Sequence, residues 1–240
     1  MTALRRLYVL DLGLFHVAAG RTIGIPGYLI QTADHQNILV DSGFPPKYAQ
    51  DPEGAGLEDR LHTFGQLIDF SSRQLVAGQL ALLGLTLRDI DLFVLSHGDI
   101  DHVGALPEFA GRPVVVGAAE RAMPRPRYFG DCQPLEWPPA EYRLIDRDTV
   151  LMPGLELLCT PGHSPGHLSL LLQLPQTGSV LLTCDAISRP AELSENLLEG
   201  ETLRQAERLM RLAEQSRALV IYGHDPAQWP VLKKAPDFYD

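Results

Sequence analysis

Four apolar segments of this chain each run straight into a histidine or aspartate beside a small residue. Leu92-Phe93-Val94-Leu95 leads into Ser96-His97-Gly98-Asp99-Ile100-Asp101-His102-Val103-Gly104-Ala105. Leu155 to Cys159 leads into Thr160-Pro161-Gly162-His163-Ser164-Pro165-Gly166-His167, Val180 to Cys184 into Asp185, and Leu219 to Gly223 into His224. Short apolar runs bounded by turn residues read as buried strands. Side chains at the C-terminal ends of such strands are held on rigid elements and face a crevice. Imidazole nitrogens and carboxylate oxygens are donors for Zn²⁺, Mn²⁺ and Fe²⁺. A polar surface loop would account for the first segment alone. It does not account for histidines and aspartates that track strand ends four times. The pattern predicts four loops converging on one metal centre.

Length and charge narrow the function classes. A chain of 240 residues buries one large core, and we expect a single domain over residues 1–240. The formal charge of −10 argues against a protein that tracks nucleic-acid phosphates. No apolar stretch reaches the roughly 18–20 residues of a membrane span. The start, Leu4 to Gly13 followed by Ala18-Ala19-Gly20, mimics a signal peptide, but Asp11 and His16 interrupt it and a first strand is the better reading. Cys132, Cys159 and Cys184 are odd in number and widely spaced, as reduced core thiols of a cytoplasmic protein would be.

Strands and helices alternate in two rounds. Gly27 to Thr32 and Asn37 to Asp41 read as strands joined by a polar turn. Lys47 to Asp59 reads as a loop, and Ser71 to Leu83 as a helix stopped by Gly84. A short helix is expected near Ala105 to Phe109 and a strand at Val114 to Val116. The proline-rich stretch Met123 to Tyr142 is expected to be irregular. Leu168 to Leu174 and Ser179 to Cys184 read as a hairpin, and Glu201 to Ser216 as an amphipathic helix. Phe64, Leu67, Ile68, Phe70, Tyr128, Phe129 and Trp137 fall in expected loops, where they either pack in the core or wall an apolar pocket.

The run His97-Gly98-Asp99-Ile100-Asp101-His102 resembles the His-x-His-x-Asp-His signature of the metallo-β-lactamase superfamily. Within it the chain is most similar to the N-acyl-homoserine lactonases. Ile38 to Gly43, Thr160 to His167, Leu181 to Ala186 and Tyr222 to Pro226 carry that resemblance. It implies an α/β fold, a four-layer αββα sandwich of two mixed sheets with helices outside. It also implies two divalent metal ions, zinc or else manganese or iron. His97, Asp99 and His163 would take the first ion, Asp101, His102 and His224 the second, and Asp185 would bridge them. Asp101 would also pass a proton to the leaving alkoxide. His167 repeats the family's spacing and is expected behind the ligands. His16, His35 and His62 lack strand-end context and read as surface or packing residues.

Two positions depart from the family. Asp99 stands where the lactonases have His, either as a ligand or as a shorter residue that only orients His97. As a ligand it gives four His and three Asp, a less positive centre, and by that count a less acidic bound water. Ser188 stands where many lactonases place a substrate-binding Tyr, and serine is too short for that reach. Tyr222 either takes over that contact or is a core tyrosine.

The resemblance implies a quorum-quenching hydrolase that opens lactone rings, most of all those of N-acyl-homoserine lactones. The alternatives are an esterase, thioesterase or phosphotriesterase with the same centre, or a dinuclear-iron oxidoreductase. The expected partner is a small lactone or ester with an apolar acyl chain, with no nucleic acid, no membrane, and room for a homodimer.

Overall fold

The computed structural model describes residues 4–240. The first sheet is built from β1 (Leu4–Val17), β2 (Arg21–Thr32), β3 (Asn37–Val40), β4 (Gly65–Ile68), β5 (Leu92–Leu95), β6 (Pro113–Gly117) and β7 (Glu141–Ile145). The second contains β8 (Thr149–Met152), β9 (Leu155–Cys159), β10 (Leu168–Leu174), β11 (Gly178–Cys184) and β12 (Leu219–Tyr222). The strand orders are β4-β1-β2-β3-β5-β6-β7 and β12-β11-β10-β9-β8. β1, β2, β3 and β4 pair antiparallel, whereas β3, β5, β6 and β7 pair parallel. In the second sheet only β11 and β12 are parallel. Both sheets are mixed, as expected.

Side-chain alternation explains the layering. Val94 packs between the sheets with Val9, Ile30, Val40, Leu157, Leu170 and Leu182, while its neighbours Phe93 and Leu95 face the opposite side. There they meet Leu80, Leu106 and Phe109 beneath the short helices α1 (Pro52–Glu58) and α2 (Val76–Ala81). α3 (Ala118–Arg121) follows β6, and α4 (Ala191–Ser194) follows β11. On the far face of the second sheet lies α5 (Gly200–Ser216), which buries Ala206, Leu209 and Ala213 against Leu158 and Leu181. That spacing is a helical stripe, and full burial of each leucine stabilises by roughly 1.5–3 kcal/mol. The result is the αββα sandwich. No helix among the described residues is long and apolar enough to cross a membrane.

The structure corrects three expectations. Lys47 to Asp59 is not a loop: it holds a 3₁₀ turn and α1, which Pro52 starts and the Asp51 side chain caps through the Gly54 N–H at 2.9 Å. Its glycines concealed it. The helix expected over 71–83 is shorter, because Ser71 and Gln74 close a turn first and Gln79 donates to the Arg73 carbonyl at 2.9 Å. A Cβ on Gly78 would lie 2.3 Å from the Ser72 carbonyl, so that turn folds onto the helix. Leu67 and Ile68 belong to β4, an edge strand paired with Phe15 and Leu14 of β1.

Candidate metal centre

Strand direction brings the candidate residues together. β5 delivers His97, Asp99, Asp101 and His102, the turn after β9 delivers His163, and the parallel pair β11 and β12 delivers Asp185 and His224. Their donor atoms form three groups, His97–Asp99–His163, Asp101–His102–His224 and His97–His102–Asp185, each with all atoms within 4.8 Å of one another. Asp185 turns one oxygen to each side. Its Oδ1 lies 3.1 Å from His224 Nε2 and 3.6 Å from His102 Nε2, and its Oδ2 lies 3.6 Å from His163 Nε2 and 3.8 Å from His97 Nε2. Asp101 lies 3.7 Å from His102 Nε2 and 3.5 Å from His224 Nε2.

Hydrogen bonds behind the centre set the tautomers. Ser96 Oγ donates to Asp41 Oδ2 at 2.6 Å, and His102 Nδ1 lies 2.8 Å from the same oxygen. His102 therefore carries its proton on Nδ1. With its own proton given to Asp41, Ser96 Oγ accepts from His97 Nδ1 at 3.0 Å. His224 Nδ1 donates to the Gly24 carbonyl at 2.9 Å. Each arrangement leaves an Nε2 lone pair facing the centre, the form in which imidazole binds a cation. Among the described residues, His97 Nε2, His102 Nε2 and Asp185 Oδ1 are buried and make no hydrogen bond. Buried polar atoms without partners are costly, and divalent cations would satisfy all three. The donor set fits metal ions.

His167 is held differently. Its Nε2 accepts from the Asp185 N–H at 3.1 Å, and its Nδ1 lies 2.8 Å from Thr160 Oγ1. Both nitrogens are engaged, so it props the Asp185 backbone from behind. Burial, with the charges of His97 and His163, keeps its pKa well below the ordinary value.

The electrostatics are those of a cation site. Burial opposes ionisation of Asp185, but His224 and His102 hold its carboxyl well below the usual carboxylate range. Asp99 is likewise held low against burial, by His97, His163 and Arg127. Burial would lower the pKa of His224, yet the Asp185 and Asp101 charges push it up to about 9. A divalent ion bound here would stand in for the proton that the Asp185 and Asp101 charges favour on His224.

A cavity of about 590 Å³ opens above the donors. Phe15, Ile23, Ile25, Phe44, Phe64 and Phe129 make its walls apolar, and Asp99, Asp101, His163, Asp185 and His224 lie at its polar end. Of the aromatic and aliphatic residues proposed for an acyl pocket, Phe64, Tyr128 and Phe129 line it and Leu67, Ile68, Phe70 and Trp137 do not. Ser188 lines it too, and its carbonyl accepts from the His224 N–H at 2.8 Å. Tyr222 does not line the cavity: its ring packs against the cluster under α5, which corrects the substrate-binding alternative. β12 aims that side chain to the outer face of its sheet, and the chain turns inward only at Gly223.

Three residues escaped sequence reading. Asp41 orients His102 and Ser96. Glu120, fully buried on α3, accepts from Gly98 N at 2.8 Å, Ser164 Oγ at 2.7 Å and Gly166 N at 3.1 Å, tying two ligand loops together. Arg127 places Nε 3.3 Å from Asp99 Oδ1. Asp41 ends a recognisable strand and could have been suspected. Nothing in the local sequence marks the other two. Arg127 also corrects the charge argument for Asp99, because its cation offsets the added carboxylate.

The family model described as the metallo-beta-lactamase superfamily matches residues 24–224. An N-acyl homoserine lactonase, AiiA, of Bacillus thuringiensis subsp. kurstaki is 29% identical over 91% of this chain and 89% of its own. The N-acyl homoserine lactonase AttM of Rhizobium radiobacter is 32% identical over 90% and 88%. A solved N-acyl homoserine lactone hydrolase, with the product N-hexanoyl-L-homoserine at its catalytic metal centre, superposes with a TM-score of 0.83 at 28% identity and covers 100% of both chains.

Proposed function

We propose that this chain, which belongs to the metallo-beta-lactamase superfamily, is a metal-dependent hydrolase that opens the lactone ring of N-acyl-homoserine lactones. The observation that carries the reading is the convergence of seven His and Asp donors at the polar end of an apolar cavity. The names of the curated relatives support the same substrate class. His97, Asp99 and His163 would hold one ion and Asp101, His102 and His224 a second, with Asp185 between them. Bound divalent ions supply Lewis acidity to the ring carbonyl and lower the pKa of water, and zinc, manganese and iron all suit this nitrogen and oxygen set.

The chain's own residues supply the rest. Asp185 joins the two halves of the donor set, and its backbone is held by His167. Asp101 sits in the cavity wall beside His102 and His224, where it can carry a proton to the alkoxide released when the acyl C–O bond breaks. The apolar walls receive the acyl chain and exclude water from it. At the position after Ser188, Arg189 also lines the cavity and brings a cationic side chain to its wall. The unpaired thiols Cys132, Cys159 and Cys184 suit work in the reducing cytoplasm.

Metal analysis of the purified protein, with a pH-stat screen of lactones, esters, thioesters and phosphotriesters, tests the reading. The expected result is two divalent ions per chain and turnover of N-acyl-homoserine lactones, with Asp185→Ala and His102→Ala losing both. Preferential turnover of phosphotriesters or thioesters would replace the substrate assignment. Full activity and metal content in either variant would refute the dinuclear assignment.

A further inference from the structure

We propose that Arg127 is a positioning residue for Asp99: its guanidinium holds one carboxylate oxygen and cancels its charge, leaving the other oxygen as a single donor to the first ion. The inference rests on the metal-centre reading above and assigns a role to a residue outside the donor set. Arg127 Nε lies 3.3 Å from Asp99 Oδ1, and its Nη1 donates to the His163 carbonyl at 2.6 Å. One planar cation therefore touches both Asp99 and the backbone that carries His163. The second oxygen of Asp99, Oδ2, faces the other way. It lies 3.0 Å from His163 Nε2 and 3.4 Å from His97 Nε2, inside the first donor group.

The segment that carries Arg127 is built against the ligand loop. Tyr128 N donates to the Gly98 carbonyl at 2.7 Å, and its carbonyl accepts from Ile100 N at 2.9 Å, so the two bonds bracket Asp99. The approach is close enough that a Cβ on Gly98 would lie 3.0 Å from Arg127 N and 3.3 Å from Pro126 Cα. Tyr128 is anchored in turn. Its hydroxyl donates to Asp59 Oδ2 at 2.5 Å, and that buried carboxylate also accepts from Tyr48 at 2.9 Å and from Lys47 at 2.7 Å. A mobile surface arginine would not be held this way.

Charge explains why the brace belongs with an aspartate. Asp99 and Arg127 together sum to zero, the charge of one neutral imidazole. An unbraced carboxylate adds negative charge and is free to turn either oxygen, or both, toward an ion. A guanidinium without its carboxylate puts an uncompensated cation beside the ions, which repels them. Each residue is therefore unfavourable without the other. A purely substrate-binding Arg127 would show no such dependence on residue 99.

The test is a double-mutant cycle on the full-length, metal-loaded protein, read as Zn²⁺ retained against a competing chelator. Asp99→His alone should lower retention about tenfold or more, and adding Arg127→Gln should restore most of it. In the Asp99 background Arg127→Gln should give no gain. The same cycle with Asp99→Asn, close in shape, keeps the question answerable if histidine at this position prevents folding. Cobalt(II) substitution gives a second reading, since its visible spectrum should change in Arg127→Gln when Asp99 alters its contact with the ion. Undiminished retention in Asp99→His, or effects that simply add, would overturn the role of Arg127 and leave the metal centre standing. A native protein that retains no divalent ion would overturn both.

Discussion

Glu120→Gln should destabilise the metal-loaded protein and loosen its metal together, although Glu120 is not among the candidate ligands. The three groups that reach this buried carboxylate are all donors: Gly98 N–H, Ser164 O–H and Gly166 N–H. Among the described residues no cation pairs with it. Glutamine keeps one acceptor oxygen and puts an NH₂ in place of the other. In one orientation the amide nitrogen faces Gly166 N–H, and in the flipped orientation it faces Gly98 N–H. Ser164 can rotate its hydroxyl to accept, but a backbone N–H cannot. Either way one buried donor meets another donor. Losing a hydrogen bond to a charged group costs about 1.5–3 kcal/mol, and the orphaned N–H adds to it, so we expect a loss of about 2–3 kcal/mol. For a chain of this size that lowers Tm by about 5–10 °C. Glu120→Ala should cost more, since all three donors lose their acceptor. Thermal unfolding of the holoprotein and metal retention after dialysis against chelator are the assays. Gly98 sits beside His97, and Ser164 beside His163, so both readouts should fall. A Tm within about 1 °C of the native value, with unchanged retention, would show that the carboxylate is not what couples the two loops.

Acyl-chain length should matter if the apolar cavity receives the acyl group: each buried methylene contributes roughly 0.8 kcal/mol, so two carbons should raise kcat/KM about tenfold until the cavity is filled. A flat profile from four to ten carbons would mean that only the ring is recognised. The metal-free protein should lose stability as pH rises from about 6.5 to about 9. The His224 pKa is raised to about 9 in the folded state, so its contribution is fully present below the unfolded value near 6.5 and is lost as pH climbs through the folded one. His102 and His163 are raised as well and act in the same direction. Tm of the chelated protein measured across that window checks this, and a Tm that rises with pH would refute it.

Much of the fold was legible because its signals are local. β5, β9, β10, β11 and β12 announce themselves as apolar runs, and α5 as a helical stripe. The short edge strand β4 was hidden, because half-exposed Leu67 and Ile68 in a four-residue strand gain their strand geometry only by pairing with β1. β7 and β8 lack a readable pattern for the same reason: their residues are mostly exposed or half-buried and take their geometry from one neighbour each. α1 was hidden by Gly54 and Gly56, whose low helix propensity is overcome by the Asp51 cap and by packing.

The centre divides in the same way. Residues at strand ends could be grouped from sequence because strand direction is itself a sequence property. What Asp99 does there could not be settled the same way. Counting donors gives one extra carboxylate and hence a less positive centre. That arithmetic treats the position as isolated, whereas a carboxylate's effect depends on every charge within a few ångströms of it. The offsetting charge comes from Arg127, in a proline-rich segment without secondary structure of its own, placed by Tyr128 and the buried Asp59. A departure from a family's ligand set is thus read safely only together with the second sphere that accompanies it. Asp99 and its guanidinium neighbour carry no net charge between them, so neither the acidity of a bound water nor the choice of metal follows from the aspartate alone.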